Sequence, residues 1–251
     1  MSRSAKIRVN KKIDYNRIPQ HIAFIMDGNG RWAQKRGLLR LAGHKAGAQS
    51  MLKVVKRCLE LGIKYVSFYA FSTENWKRPD GEVNGIFDEA RKLIAQQKDE
   101  FVKNGVRVVT MGDTTKFPKD MQDSLKQIVD ITRRNDRITL NIAINYGGRA
   151  EIINAVNRIL SEKKIKSVDE QIFEEYLYTG IKNGDFEGKG ITDPDLLVRT
   201  SGESRISNFM LYQIAYSELY FTKVFWPMVG EKFVDECVIE FQKRKRRYGA
   251  V

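Results

Sequence analysis

The sequence predicts an α/β fold: one domain with a mostly parallel six-stranded sheet flanked by helices. Three observations predict it. Short apolar runs of strand length alternate with segments whose apolar residues recur at helical spacing, the pattern of a sheet covered by helices on both faces. Polar, often glycine-bearing clusters fall where the apolar runs stop, at the strand mouths where open α/β sheets bind ligands. The chain has 251 residues, 42% of them hydrophobic, enough for one sizeable core. No repeat, low-complexity segment or linker divides it. The expected layout is a basic, flexible N-terminal arm over 1–18 and a single α/β domain over 19–251.

The first strand is the apolar run Ile22–Met26, which stops on Asp27 and the turn Gly28-Asn29-Gly30. A helix follows over about Gly43–Leu61, and the β-branched and aromatic run Ile63–Phe71 is the second strand. After the loop Ser72–Pro79, Val83, Ile86, Phe87, Ala90, Leu93 and Ile94 fall on one face of a helix that starts near Glu82 and stops at Gly105. Val106–Met111 is the third strand, and Pro118 opens a helix to about Arg134. Ile138–Ile144 is the fourth strand, followed by helices near Ala150–Glu162 and Val168–Tyr178 and a polar loop over Lys182–Lys189. Leu196–Arg199 and Leu219–Phe225 are the last strands, and Glu231–Arg246 the last helix.

The chemistry gathers at the strand mouths. Gly28 and Gly30 permit a tight turn with outward N–H groups, Arg31 adds a cation, and His44 and Lys45 open the next helix. Backbone donors, a helix start and cations together suit a phosphate. Asp27 would repel such a ligand unless a divalent cation stood between them, which implies Mg2+. Alone, Asp-Gly-Asn-Gly is as often a plain turn. Arg199, Arg205 and Ser207, in a loop with further hydroxyls and a glycine, suit a second diphosphate held by bidentate hydrogen bonds. Glu218, at the start of an apolar strand, reads either as edge solvation or as a second metal carboxylate.

The formal charge is +13, from 44 Lys and Arg against 31 Asp and Glu. It suits a polyanionic ligand, an anionic membrane surface or nucleic acid. The aromatics lie in apolar runs and are not interleaved with the cations, which argues against nucleic-acid binding. The basic clusters Arg3–Lys12 and Lys243–Arg247 read as solvated termini, with attraction to acidic lipid as the alternative. A magnesium phosphatase lacks its paired aspartates, because Ile25 and Asn29 stand two places either side of Asp27. No apolar run approaches the ~18 residues of a membrane span. Cys58 and Cys237 sit in amphipathic helices, as reduced residues of a cytoplasmic protein would.

Taken together, His21–Trp32, Gly43–Gly47, Tyr69–Pro79, Asn145–Arg149 and Arg199–Asn208 with Glu218 resemble the ordered motifs of the cis-prenyltransferase family, and within it the bacterial undecaprenyl diphosphate synthases. The resemblance runs from about Pro19 to Pro227. It implies a homodimer with a hydrophobic tunnel in each subunit. The implied reaction is repeated addition of isopentenyl diphosphate to farnesyl diphosphate, each addition making a cis double bond and the series ending in a long polyprenyl diphosphate such as the cell-wall lipid-carrier precursor. Peripheral contact with the inner face of the plasma membrane would serve product release.

Roles follow position by position. Asp27 resembles the essential aspartate that holds Mg2+, and Gly28, Asn29, Gly30, Arg31, Trp32, Arg40 and His44 the allylic diphosphate site. Ser72, Thr73, Glu74, Asn75, Trp76, Arg78 and Glu82 resemble the loop that closes over the substrates, with Asn75 and Ser72 assisting proton loss. Arg199, Arg205 and Ser207 resemble the isopentenyl diphosphate site, and Glu218 a metal ligand shared with the dimer partner. Ala70, Leu140, Ile144 and the stripe from Val83 to Ile94 would line the tunnel. Two features depart from the pattern. Ser204 stands where some members have His, and Asp88, Glu89, Arg91 and Lys92 make the tunnel helix unusually polar.

Overall fold

A computed structural model describes residues 10–162, 164–182 and 190–244. β1 (His21–Ile25), β2 (Tyr65–Ser72), β3 (Val106–Met111), β4 (Ile138–Tyr146), β5 (Leu196–Arg199) and β6 (Glu218–Phe221) form one sheet in the order β3-β4-β2-β1-β5-β6. Every neighbouring pair is parallel. All five residues of β1 and all four of β5 are buried, which is why these strands read as unbroken apolar runs. After β1 the chain builds leftward through β2, β4 and β3, and after β5 it builds rightward to β6. The loops leaving β1 and β5 therefore diverge, and a crevice opens between them at the carboxyl edge.

Among the described residues seven α-helices surround the sheet: α1 (Asn29–Gln34), α2 (Arg40–Leu61), α3 (Asp80–Asn104), α4 (Lys119–Thr132), α5 (Gly148–Ser161), α6 (Glu170–Tyr176) and α7 (Glu231–Gln242). On one face, Ile22, Phe24, Val66, Phe68 and Val198 pack against residues of α2, α3, α4 and α7. On the other, Ala23, Ile25 and Leu197 meet Tyr146, Phe209, Met210 and Ile214. Cys58 and Cys237 are buried and free.

The differences from the sequence reading have local causes. The stretch read as a glycine turn is a turn plus a short helix, α1. Gly28 takes φ 106° and starts it, and α2 presses against it through glycines: a Cβ on Gly43 would lie 2.0 Å from the Asn29 carbonyl oxygen. α2 begins at Arg40, before Gly43, so His44 lies a turn inside the helix, and Lys45 is exposed. β6 ends at Phe221, because the chain beyond it pairs with the loop after β5, with Ser201 N–H donating to the Val224 carbonyl at 2.8 Å. α7 ends at Gln242. The arm drawn over 1–18 is docked from Asn10 onward. Ile13 is buried, and Gln242 Nε2 donates to the carbonyls of Asp14 (2.7 Å) and Arg17 (3.0 Å). Arg3, Lys6 and Arg8 of the arm, Lys245, Arg246 and Arg247 of the tail and most of the loop over 182–189 lie outside the described residues.

Candidate active site

Asp27 and Arg199 stand at the carboxyl ends of β1 and β5, on either side of the crevice. Asp27 Oδ2 accepts from Arg199 Nη2 at 3.0 Å, and its Oδ1 lies 3.1 Å from Arg31 Nη2. The Asp27 backbone is pinned as well: its carbonyl accepts from Thr200 Oγ1 at 2.7 Å and from Trp226 N–H at 3.1 Å. Arg199 is buried, and its Nη1 donates to the Arg205 carbonyl and to Ser207 Oγ, both at 2.6 Å. One guanidinium thus ties the end of β1 to the loop carrying Ser207. Glu203 bridges the two remaining arginines, Arg31 (3.0 Å) and Arg205 (2.6 Å), and these cations, Arg205 foremost, hold its carboxyl below the usual range.

A cavity of about 500 Å³ opens at this mouth. Asp27, Asn29 and His44 wall it on one side, and Arg199, Ser207 and Asn208 on another. Ser72, Glu74, Asn75 and Arg78 wall it from the loop after β2. Ser72 and Asn75 cap each other there: Ser72 N–H donates to Asn75 Oδ1 at 3.0 Å, and the Ser72 side chain accepts from the Asn75 N–H. Glu82, in the first turn of α3, gathers Arg40 (3.0 Å), Arg78 (3.0 Å) and His44 Nε2 (3.3 Å). Burial favours the neutral forms of both Glu82 and His44. The arginines win at Glu82 and hold its carboxyl below its ordinary value, while burial wins at His44 and lowers its pKa.

Behind the mouth lies a second, apolar cavity of about 170 Å³. Met26, Asn29, His44 and Ala70 line both cavities, so the two adjoin. Ile86, Phe87, Ala90, Leu93 and Ile94 of α3 line it as the sequence suggests, with Leu140 and Ile144 of β4. Val83 does not; it is buried among Phe71, Phe87 and Phe117. Met51 of α2 and Met121, Leu125 and Ile128 of α4 complete the wall. Of the polar group on α3, Asp88 and Arg91 pair with each other, and Arg91 also with Asp120 of α4. Glu89 alone of the four lines the cavity, 3.2 Å from Lys92.

Several residues expected at the site lie beside it. Trp32 carries Arg36 over its ring at 4.4 Å, and Trp76 sits among Phe71, Phe87 and Phe117 with its Nε1 donating to Asn145 Oδ1 at 2.8 Å. The Thr73 side chain packs against Gly147, and Arg205 is exposed. Gly30 faces the Arg40 guanidinium, 2.8 Å from where its Cβ would stand. Glu218 pairs with Leu196 at the amino end of β5, the opposite edge from Asp27, and bonds Arg244 at 2.8 Å. Within one chain Glu218 is not at the mouth. The sequence reading missed Asn208. It holds φ 64°, and its carbonyl and Oδ1 accept from Gly148 N–H (2.7 Å) and Arg149 N–H (2.9 Å). The tolerance of Asn for left-handed backbone was the available signal.

Among the described residues, no three His, Cys, Asp or Glu side chains gather as a metal site. The donor set fits magnesium in another mode. Mg2+ is commonly held by one or two carboxylates with substrate phosphates and waters, and Asp27 offers a carboxylate beside cations that suit phosphate. Arg199, whose Nη2 meets Asp27, keeps its Nε buried without a partner, and Asn29 Oδ1 and Ser201 Oγ are likewise unpaired.

Residues 25–249 match the profile of the family described as "Putative undecaprenyl diphosphate synthase". The chain belongs to this family. The isoprenyl transferase of Fusobacterium nucleatum is 48% identical over 93% of this chain and 97% of its own, and that of Oceanobacillus iheyensis 44% identical over 99% and 97%. Lavandulyl diphosphate synthase from Lavandula x intermedia, solved with dimethylallyl diphosphate, superposes with a TM-score of 0.86 at 29% identity over 93% of this chain and 99% of that one. A "probable undecaprenyl diphosphate synthase" from Campylobacter jejuni gives 0.75 at 30% identity over 92% and 98%. The protein is thus a prenyltransferase of the cis type, with the fold of that family.

Proposed function

We propose that this prenyltransferase condenses isopentenyl diphosphate onto farnesyl diphosphate in repeated cis additions to give a long polyprenyl diphosphate, undecaprenyl diphosphate being the product in view, as precursor of the cell-wall lipid carrier. The observation that carries this reading is the adjacency of two unlike cavities, a polar mouth with two sets of cations and an apolar chamber that shares four of its lining residues. The allylic diphosphate would lie against the start of α1, with Arg31, Arg40, Arg78 and His44 around it. The second diphosphate would lie against Arg199, Arg205 and Ser207. Mg2+ held by Asp27 and phosphate oxygens would neutralise charge growing on the leaving group.

In each cycle the allylic C1–O bond breaks and its electron pair leaves with diphosphate. The C4 of isopentenyl diphosphate bonds to that C1, and a proton is lost from its C2. Departure is feasible because fixed donors meet the developing charge where water is thinned out. Ser72 and Asn75, on the mouth wall, would assist the proton's removal. The hydrocarbon tail grows into the apolar chamber.

A homodimer is part of the reading. Ile153 (62% exposed), Val156 (39%) and Leu160 (76%) form a stripe along α5, and Tyr216 is 78% exposed. Burying that stripe against a second copy would remove a costly surface, and Glu218 would then reach Asp27 only across subunits. A shorter product is the second reading, favoured by Glu89 in the chamber wall. The test is a product assay with farnesyl diphosphate, labelled isopentenyl diphosphate and Mg2+. A single long polyprenyl product that is lost on chelation supports the first reading, and a product ending after a few additions the second. No incorporation with any allylic primer overturns both.

A further inference from the structure

The turn joining α1 to α2 is apolar, basic and locked. Leu39 is 84% exposed, Leu38 45% and Leu41 38%. Their exposure is not fraying, because the turn is closed by its own backbone. Gly37 takes φ 66°, Leu38 N–H donates to the Ala33 carbonyl at 3.0 Å and Gly37 N–H to the Gln34 carbonyl at 3.1 Å. A helix-ending turn of this kind usually tucks the residue after its glycine against the helix it ends; here Leu38 is half out.

The surroundings say what such a surface meets. No Asp or Glu occurs between Asp27 and Glu60, while Lys35, Arg36 and Lys45 are exposed around the leucines. The position also fits. Leu41 packs at Gly85 in α3, and about two turns along α2 Ala48 lines the apolar chamber, as does Ile86 beside Gly85. The turn therefore adjoins the parts of α2 and α3 that wall the chamber.

We propose that the Lys35–Leu41 turn docks the enzyme on an anionic lipid bilayer, with Leu38 and Leu39 entering the interface and Lys35, Arg36 and Lys45 over acidic headgroups. Apolar insertion combined with a basic patch is the two-signal arrangement that gives reversible peripheral binding. The choice of a bilayer as occupant rests on the charge of the patch and on the proposed function, because a polyprenyl product leaving the chamber needs an apolar phase close by. Among the described residues no helix is long and apolar enough to cross a membrane.

The test is co-sedimentation of the full-length protein with vesicles of phosphatidylcholine alone and with phosphatidylglycerol added. Binding is expected only with the anionic lipid and should weaken in high salt. Leu38→Ser/Leu39→Ser should lower binding on the order of tenfold or more, and Lys35→Gln/Arg36→Gln should remove most of the salt sensitivity. Condensation of a water-soluble short primer, measured without vesicles, should be unchanged in the serine variant. Absence of wild-type binding to anionic vesicles, or equal binding by the serine variant, overturns the proposal. So does a lower oligomeric mass in the serine variant, which would make the turn a contact between copies. If no primer is condensed while vesicle binding holds, the reading of the reaction fails and the docking surface stands.

Discussion

Asp27 and Arg199 form the ion pair on which the mouth is hung, and each has a second job. Asp27 also faces Arg31, while Arg199 reaches across to Ser207. Asp27→Ala would leave the buried Arg199 charge without a carboxylate, so lost activity and lost stability would be mixed. Asp27→Asn keeps the shape and removes the charge. It should lower kcat by about 10²–10³-fold while the protein still unfolds cooperatively. Near-normal turnover would show that Asp27 only braces Arg199. The loop it faces is strained, with Ser207 at φ 47°, Asn208 at 64° and Met210 at 46°. Tyr146 holds it, accepting from Met210 N–H at 3.1 Å and donating to Glu151 Oε2 at 2.5 Å. Glu151 is buried, which raises its carboxyl pKa, and its Oε1 accepts from Tyr178 N–H (2.9 Å) and Gln213 Nε2 (3.0 Å). Tyr146→Phe should raise the apparent KM for isopentenyl diphosphate with less change in kcat, at a stability cost of about 1–3 kcal/mol. An unchanged KM would mean that the loop does not depend on this bond. Asp27 and Arg199 were legible in the sequence because each closes an apolar run or stands at its end, and His44 because it stands near the start of a helix. Glu151 was not, and Tyr146 and Asn208 stood within motifs but without a role, because their work is done across 59 to 64 residues of chain, and spacing along a sequence carries no trace of such a contact.

At the scale of elements, α3 is the informative one. Its stripe from Ile86 to Ile94 was visible as a helical period, and the period gives a face but not its partner. That face meets a chamber whose far wall is α4, with Met121, Leu125 and Ile128. The same period in α4 reads only as an amphipathic helix, so that part of the wall was hidden. Gly85 lets α3 approach α2, since a Cβ there would stand 2.8 Å from the Leu41 side chain. Beyond that contact Glu89 enters the lining, with Lys92 as its counter-ion and 19% of its side chain exposed. A hydrocarbon tail passing a carboxylate must strip its water, which costs several kcal/mol unless the charge stays paired. Glu89→Leu should therefore shift the product distribution to longer chains, and Glu89→Gln should shift it less. Chain lengths read after exhaustive extension decide this. An unchanged distribution in both variants would place the limit of the chamber elsewhere, at its α4 wall.

The whole molecule is organised by one parallel sheet with chemistry at one edge and support at the other. At the amino edge, away from the mouth, His21 Nδ1 donates to the Thr192 carbonyl at 2.6 Å and Nε2 accepts from Ser67 Oγ at 2.7 Å. Asn141 Nδ2 also donates to Ser67 Oγ at 2.9 Å, so a buried polar seam joins β1, β2 and β4. Burial pushes His21 down to about 4, from an ordinary value near 6.5. The sign follows directly. Between these two values the unfolded chain binds a proton that the folded chain refuses, so this contribution is complete above pH 6.5 and lost as pH falls toward 4. Its size is about 3 kcal/mol for a shift of this width. Asp193, pushed up to about 6 by burial and by Glu174, and Glu151 run the other way, because acid relieves their buried charge. The wild-type curve alone therefore mixes opposite terms, and the comparison that isolates His21 is with His21→Gln, which stays neutral. Urea unfolding at pH 7 and pH 4.5 should show the wild type losing about 2–3 kcal/mol more than the variant. The chain has only two histidines, so an imidazole NMR titration gives a second readout without mutation. The His21 resonance should hold its neutral position down to about pH 5, and a midpoint near 6.5 would show that the seam admits a proton and that acid acts on this fold elsewhere.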